Sequence, residues 1–364
     1  MPPSADCQAT DRPRILPGVA LLRALRTSLL VVAVTLLLLE IGLRATGVHR
    51  ALVGAALYYQ TFDLPVHRTS ADRELRYELS PGASHDFDDG TGRWSVHVDR
   101  FGARGRERAE PRPYGTFRIV MLGGSTTYGF KTLDDETLPA RLEQVLAAHA
   151  PVFRSFEVLN FGRCAYVMTQ VERLGESVLA TYTPDLLVVQ VYNAGRRPFL
   201  AGPGFAPVDF TPWLDDDDTI LENFDAPPGV PRALHASLVR RVVTWRTAAA
   251  LWRRWTAPKY GMNAASDYAD LLGRRAAARL VEAARAKHVP IVFVTLPGTR
   301  TPPSMIGDGL READLIRLHQ PGREPAFYDV HPPPAVLAEW ATSLADELAR
   351  RGLVPVAWPF TADR

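Results

Sequence analysis

The run DLLVVQV, Asp185–Val191, limits the possible folds more than any other stretch of the 364 residues. It is a continuous apolar strand of the kind buried on both faces, which occurs in parallel sheets covered by helices on either side. Runs of the same character stand at Phe117–Met121, Phe156–Leu159 and Ile291–Leu296. Helical patterns separate them. Leu138, Leu142, Val145 and Leu146 recur at helical spacing behind the capping residue Thr137, and Met168–Thr181 places Val171, Leu174, Val178 and Leu179 on one face. Leu271–His288 is a third helix. Pro334–Arg351 is the last, with Leu337, Trp340, Leu344 and Leu348 inward and Gly352 as its stop. Strand, helix, strand, helix, strand is the βαβ signature of an α/β domain.

The amino-terminal part follows another logic. Thr27–Leu43 is long and apolar enough to cross a bilayer, with Glu40 its one charge, and Arg12, Arg14, Arg23 and Arg26 precede it. The arginine excess predicts a cytoplasmic tail at residues 1–26, a single-pass signal-anchor at 27–45 in the inner membrane, and export of everything after Arg44 to the periplasm. A cleaved signal peptide is the competing reading, since Ala51–Ala56 is small and apolar. A net charge of +2 gives no sign of a nucleic-acid partner, and lysine occurs only at Lys131, Lys259 and Lys287. Cys7 and Cys164 lie on opposite sides of the predicted bilayer, so no disulfide framework follows.

Residues 46–116 read as a spacer that adds one or two strands to the sheet margin, Trp94–Val98 among them, and His85 with Asp86, Asp88 and Asp89 reads as a solvated acidic loop. An insertion at 196–270 interrupts the domain at 117–360. Its helical part puts Leu238, Val242, Trp245, Ala249 and Trp252 on one stripe and most arginines off it, a pattern expected to dock on the core, with a membrane surface or a roof over the site as the other roles open to it.

Chemistry is concentrated at two places. In FRIVMLGGSTTYGF, Phe117–Phe130, a strand ends in Gly123 and Gly124, a tight turn that presents Ser125, and Gly129 lets the chain leave without a Cβ clash. Reactive groups in open α/β sheets sit beyond the carboxyl ends of strands. A serine hydroxyl needs a base and an oxyanion hole. His331, in FYDVHPPPA just before the last helix, supplies the imidazole, and Asp329 is near enough in sequence to fix its tautomer.

With these motifs the chain resembles the SGNH/GDSL hydrolase family, in particular its membrane-anchored bacterial members, over most of residues 117–350. GGSTTYG, Gly123–Gly129, is similar to the first family block with Gly124 in place of the commoner Asp. VLNFGRCAY, Val158–Tyr166, is similar to the second, and YDVHP, Tyr328–Pro332, to the fifth. The anchor ending LLLLEIGLR and the segment RYELSPG are features such proteins share. The resemblance implies a three-layer α/β/α sandwich with a mostly parallel, flavodoxin-like sheet. It also implies a Ser125-His331-Asp329 triad and an oxyanion hole from the N–H groups of Ser125 and Gly162 with the Asn193 amide. Two positions depart from the family. Asn193 in QVYNAGRR stands one place early, with Ala194 where the amide is expected, and the DxH spacing replaces a common DxxH, which would put Tyr328 at the acid position.

The expected activity is hydrolysis of O-acyl esters, O-acetyl groups included, on envelope glycans or lipids, with no metal or organic cofactor. An O-acyltransferase using the same triad and a non-catalytic envelope protein are the alternatives, and the oligomeric state is left open.

Overall fold

The structure, a computed structural model, describes residues 17–57, 64–72, 75, 77–109, 111–151, 154–164, 166–191, 220, 224, 226–256, 267–296, 314–318 and 331–356. Helix α1 (Pro17–Thr46) begins well before Thr27, and its segment Leu21–Thr46 is long and apolar enough to cross a membrane, with a mean hydropathy of 2.1. Gly47, at φ +66°, separates it from α2 (Val48–Leu57).

The next strands do not extend the main sheet. β1 (His67–Thr69) pairs antiparallel with β2 (Tyr77–Leu79), and β3 (Ser84–Asp88) pairs antiparallel with β4 (Arg93–His97), as two separate ribbons. The expectation of strands at the sheet margin is corrected accordingly. The acidic stretch around His85 is a strand and not a loop, because Phe87 stacks on Trp94 at 5.2 Å and Asp88 pairs with Arg93 at 2.7 Å across the ladder. The chain then returns along the domain. Arg104 makes one antiparallel bridge to Asn160, and Arg108 reaches the Val158 carbonyl.

The main sheet contains β5 (Thr116–Gly123), which leads through the short helix α3 (Ser125–Tyr128) and α4 (Leu138–Ala148) to β6 (Ser155–Gly162). Helix α5 (Met168–Thr181) precedes β7 (Leu186–Val191). The insertion then supplies α6 (Arg232–Arg241) and α7 (Val243–Thr256), before α8 (Asp267–Ala286), β8 (Ile291–Thr295), β9 (Leu315–Arg317) and α9 (Pro334–Arg350). Strand order is β6-β5-β7-β8-β9 and every pair is parallel, which is the flavodoxin-like arrangement expected. β9 is too short to leave a pattern in the sequence.

Two apolar layers cover the sheet. Val171, Leu174, Val178 and Leu179 of α5 and Ala276, Leu280 and Ala284 of α8 bury one face with Val120, Leu122, Leu187 and Val189. Leu138, Leu142 and Leu146 of α4 and Leu337, Trp340, Leu344 and Leu348 of α9 bury the other with Ile119, Met121, Leu186 and Val188. β5 and β7 therefore alternate between two cores, which is why their sequences are apolar throughout. The chain leaves β5 through α4 on one face of the sheet and β7 through α8 on the other, so the carboxyl ends of these two adjacent strands mark the topological switch point.

The insertion departs from its expected stripe. Val242 is extended (φ −111°, ψ 105°) and divides one anticipated helix into α6 and α7. The buried side chains are His235, Ala236, Val239, Val243, Arg246, Thr247, Ala249, Ala250 and Arg253, while Trp252 is 48% exposed. Arg246 turns inward because its Nε donates to the Val239 carbonyl (2.7 Å) and its Nη2 to the Arg240 carbonyl (2.7 Å), serving the open end of α6. Burial lowers the Arg246 pKa to about 10, with Arg44 nearby acting in the same direction.

Candidate active site

Ser125 is the first residue of α3, immediately beyond β5. Gly124 before it has φ −88° and ψ −153°, and Gly129 behind it sits at φ +87°. An L residue is strained at Gly129, and a Cβ there would meet the Thr137 side chain at 2.4 Å. The turn is fixed from beneath. Gln190 Oε1, on β7, accepts from the Thr127 N–H (3.1 Å) and the Thr127 hydroxyl (2.6 Å). Asn160 Nδ2, on β6, donates to the Tyr128 carbonyl at 3.2 Å. Arg104, buried, donates to the carbonyls of Tyr128 (2.9 Å), Gly129 (2.5 Å), Thr132 (2.6 Å) and Ser95 (3.1 Å) and pairs with Asp134 at 2.8 Å. Three elements thus hold one four-residue helix by its own polar groups.

His331 stands just ahead of α9, whose start is stiffened by Pro332, Pro333 and Pro334. Its Nε2 lies 2.8 Å from Ser125 Oγ, and its ring is 4.6 Å from that of Phe130. Both groups are half-buried, so the pair is reachable from solvent. In the tautomer with the proton on Nδ1, Nε2 accepts the serine O–H, the geometry required for general-base activation of the hydroxyl.

The remaining site expectations stand differently. Asp329 and Asn193 lie outside the described residues, as do Ala194 and Tyr328. Gly162 closes β6 in register with Gly123. Its N–H donates to Asn160 Oδ1 at 3.0 Å, so in this arrangement it does not turn an open donor toward Ser125. What its missing side chain provides is room: a Cβ at Gly162 would lie 2.2 Å from the Tyr128 nitrogen. Among the described residues no acceptor engages the Ser125 N–H, which belongs to the first turn of α3. Among the described residues no cluster of His, Cys, Asp or Glu could hold a metal ion.

Gln190, Asn160 and Arg104 support the site and were not singled out in the sequence. A signal existed for Gln190, the one polar residue in LLVVQV, and a weaker one for Asn160, a polar residue inside the apolar end of SFEVLNFG. Arg104 had none, because its role depends on carbonyls that only the fold assembles.

Burial pushes the Tyr166 phenol well above its ordinary range, and burial also lowers the Arg163 pKa although Arg163 donates to the Gly162 (2.8 Å) and Gly102 (2.7 Å) carbonyls.

No family model and no curated protein matches the chain. Several solved structures are similar to it at low identity. One is the psychrotrophic esterase EstA from Pseudoalteromonas sp. inhibited by monoethylphosphonate, with 12% identity and a TM-score of 0.35 over 64% of this chain and 97% of that one. Another is a catalytic mutant of the acetylxylan esterase Axe2 from Geobacillus stearothermophilus, with 12% identity and a TM-score of 0.35 over 68% and 97%. A third is AlinE4, an SGNH-hydrolase family esterase, with 16% identity and a TM-score of 0.26 over 52% and 62%. Likenesses this distant carry no chemistry to this chain, and the site stands on its own residues.

Proposed function

We propose that the protein is a membrane-anchored serine ester hydrolase acting on O-acyl esters. The observation that supports this reading is the 2.8 Å contact between His331 Nε2 and Ser125 Oγ, made by residues 206 positions apart beyond the carboxyl end of β5. Ser125 Oγ attacks the ester carbonyl while His331 takes its proton. The tetrahedral oxyanion forms beside the Ser125 N–H, and His331 returns the proton to the leaving alcohol. Water, activated by the same imidazole, then releases the acid from the acyl-serine. Asp329 is assigned the orientation of His331. Asn193 is assigned to the oxyanion, and Gly162 joins it only by exchanging its Asn160 acceptor. Helix α1 is the anchor, and its flanking arginines favour an exported, periplasmic domain.

A fluorophosphonate probe on the full chain tests the reading. Labelling of the native protein, lost in Ser125→Ala and in His331→Ala, together with a fall of roughly 10³-fold or more in nitrophenyl acetate hydrolysis, is the expected result. Folded native protein that takes no label refutes it. Product analysis with and without an acceptor alcohol separates hydrolysis from acyl transfer.

A further inference from the structure

Where the Ser125 site opens relative to the anchor follows from how the chain enters and leaves the domain. Parallel strands all end on one side of the sheet, and Ser125 and His331 are on that side. The chain arriving from the anchor is packed there. Tyr77 of β2 donates through its hydroxyl to the Cys164 carbonyl, the Tyr166 hydroxyl donates to the Tyr77 carbonyl, and the His67 ring of β1 lies 6.1 Å from that of Tyr128 in α3. Between Leu57, where α2 ends, and His67 the chain spans at most about 35 Å. The insertion leaves from the same side, at the end of β7. It also re-enters there, because α8 runs back toward the start of β8 and so begins at the carboxyl-end side.

The insertion is fastened to the anchor itself. Glu40, on α1, accepts from the N–H groups of Val243 (3.0 Å) and Thr244 (2.7 Å) and from the Thr244 hydroxyl (2.7 Å), serving the first turn of α7. Arg44 donates to the Arg241 carbonyl at 2.5 Å, where α6 ends. Val53 of α2 is buried with Ala236, Val239, Ala249 and Ala250. Farther along α7, Leu251 (47%), Trp252 (48%) and Trp255 (83%) are exposed, and tryptophan is a side chain that settles at a bilayer interface.

We infer that the Ser125 site faces the membrane that holds α1, and that its substrate is an acyl ester carried on the headgroup of a membrane lipid and not a freely diffusing ester. This rests on the ester-hydrolase reading and narrows its substrate. The lipid-borne ester loses its acyl C–O bond, the acyl group passes to Ser125 Oγ, the lipid alcohol departs with the proton held by His331, and water frees the carboxylic acid. Anchoring enzyme and ester in one bilayer raises their effective concentration, and an opening turned toward the headgroups makes short tethers productive.

The full chain in phospholipid vesicles provides the test. Ser125 is labelled with a fluorophosphonate that bears a donor fluorophore, and an acceptor fluorophore is placed on lipid headgroups. If the site opens onto the headgroups, donor and acceptor are close and the donor lifetime is expected to fall by roughly half or more. In parallel, coumarin acetate tethered to a lipid headgroup by a short spacer should be cleaved at least about tenfold faster when it shares the vesicle with the enzyme than when it is on separate vesicles. It should also be cleaved as fast as its long-spacer counterpart. Labelled Ser125 with an unchanged donor lifetime, or cleavage of the long-spacer ester alone, overturns the inference while leaving the hydrolase intact. Chain that fails to float with the vesicles overturns it as well. Absence of labelling overturns the hydrolase reading and this inference together.

Discussion

Replacing Gly162 by alanine puts a methyl group against the backbone that carries Ser125. The new Cβ would lie 2.2 Å from the Tyr128 nitrogen, 2.6 Å from the Thr127 carbonyl carbon and 2.7 Å from the Tyr128 Cα, where ordinary contact begins at 3.4 Å. No flexible side chain can yield. β6 cannot retreat either, because Leu122 pairs with Phe161 and Gly123 with Gly162 in the ladder to β5. Helix α3 must therefore move by about 1 Å, against its bonds to Gln190, Asn160 and Arg104. Overpacking of this kind costs about 1–3 kcal/mol, measured as a shift of the urea midpoint. The same displacement opens the 2.8 Å contact between Ser125 and His331, and a misplacement of that size lowers kcat/KM by about 10²-fold. Alanine keeps the backbone N–H, so a lost hydrogen-bond donor cannot account for the fall. A variant within about 0.5 kcal/mol of the native stability and within about threefold of its kcat/KM would refute the packing argument.

Two further substitutions probe the supports of the site. Arg104→Lys cannot reproduce a guanidinium that serves four carbonyls and Asp134, and it is expected to destabilise by about 3 kcal/mol in urea unfolding; a loss below about 1 kcal/mol would show that the carbonyls find other donors. Asp99 is buried, with Oδ1 accepting from the N–H groups of Phe101 and Ala103 and Oδ2 without a partner among the described residues, and burial raises its pKa. A carboxyl whose folded pKa is raised costs stability once ionised, and the cost disappears as pH falls through the folded value toward the ordinary 3.8. Asp99→Asn should accordingly raise stability at pH 7 by about 1 kcal/mol, with the gain closing in acid; an Asn variant less stable than native at pH 7 would contradict this.

The strand order was legible because β5, β6, β7 and β8 are apolar in ways that only a covered sheet explains, and the helices between them carry clean stripes. The serine turn and His331 could be paired from sequence because one ends a strand and the other begins a helix on the same side of the sheet. Where reading failed, a tertiary partner had overruled local pattern. Helix α7 starts afresh at Val243 because Glu40, two hundred residues earlier, accepts its first N–H groups, and the resulting break rotates the buried face so that Arg246 goes in and Trp252 comes out. β3 and β4 pair with each other because aromatic stacking and an ion pair favour that ribbon over the sheet margin. The Gly162 N–H is engaged by an asparagine two positions upstream, a local turn that the pattern VLNFG does not announce.

The return of the chain along β6 has a consequence for how the domain stays in solution. Among the described residues β6 is an outermost strand of eight residues, long enough to recruit a second molecule through its outer peptide groups. The Arg104 N–H donates to the Asn160 carbonyl, the Glu143 carboxylate takes the Val158 N–H, and Arg108 covers both Glu143 and the Val158 carbonyl. The opposite border, β9, is only three residues long and offers little to a recruit. A chain trimmed to begin at Phe117 would keep every residue proposed for catalysis, and Glu143 on the Val158 N–H, but lose Arg104 and Arg108, so it would be expected to self-associate through the uncovered part of β6 before it could be assayed as a monomer.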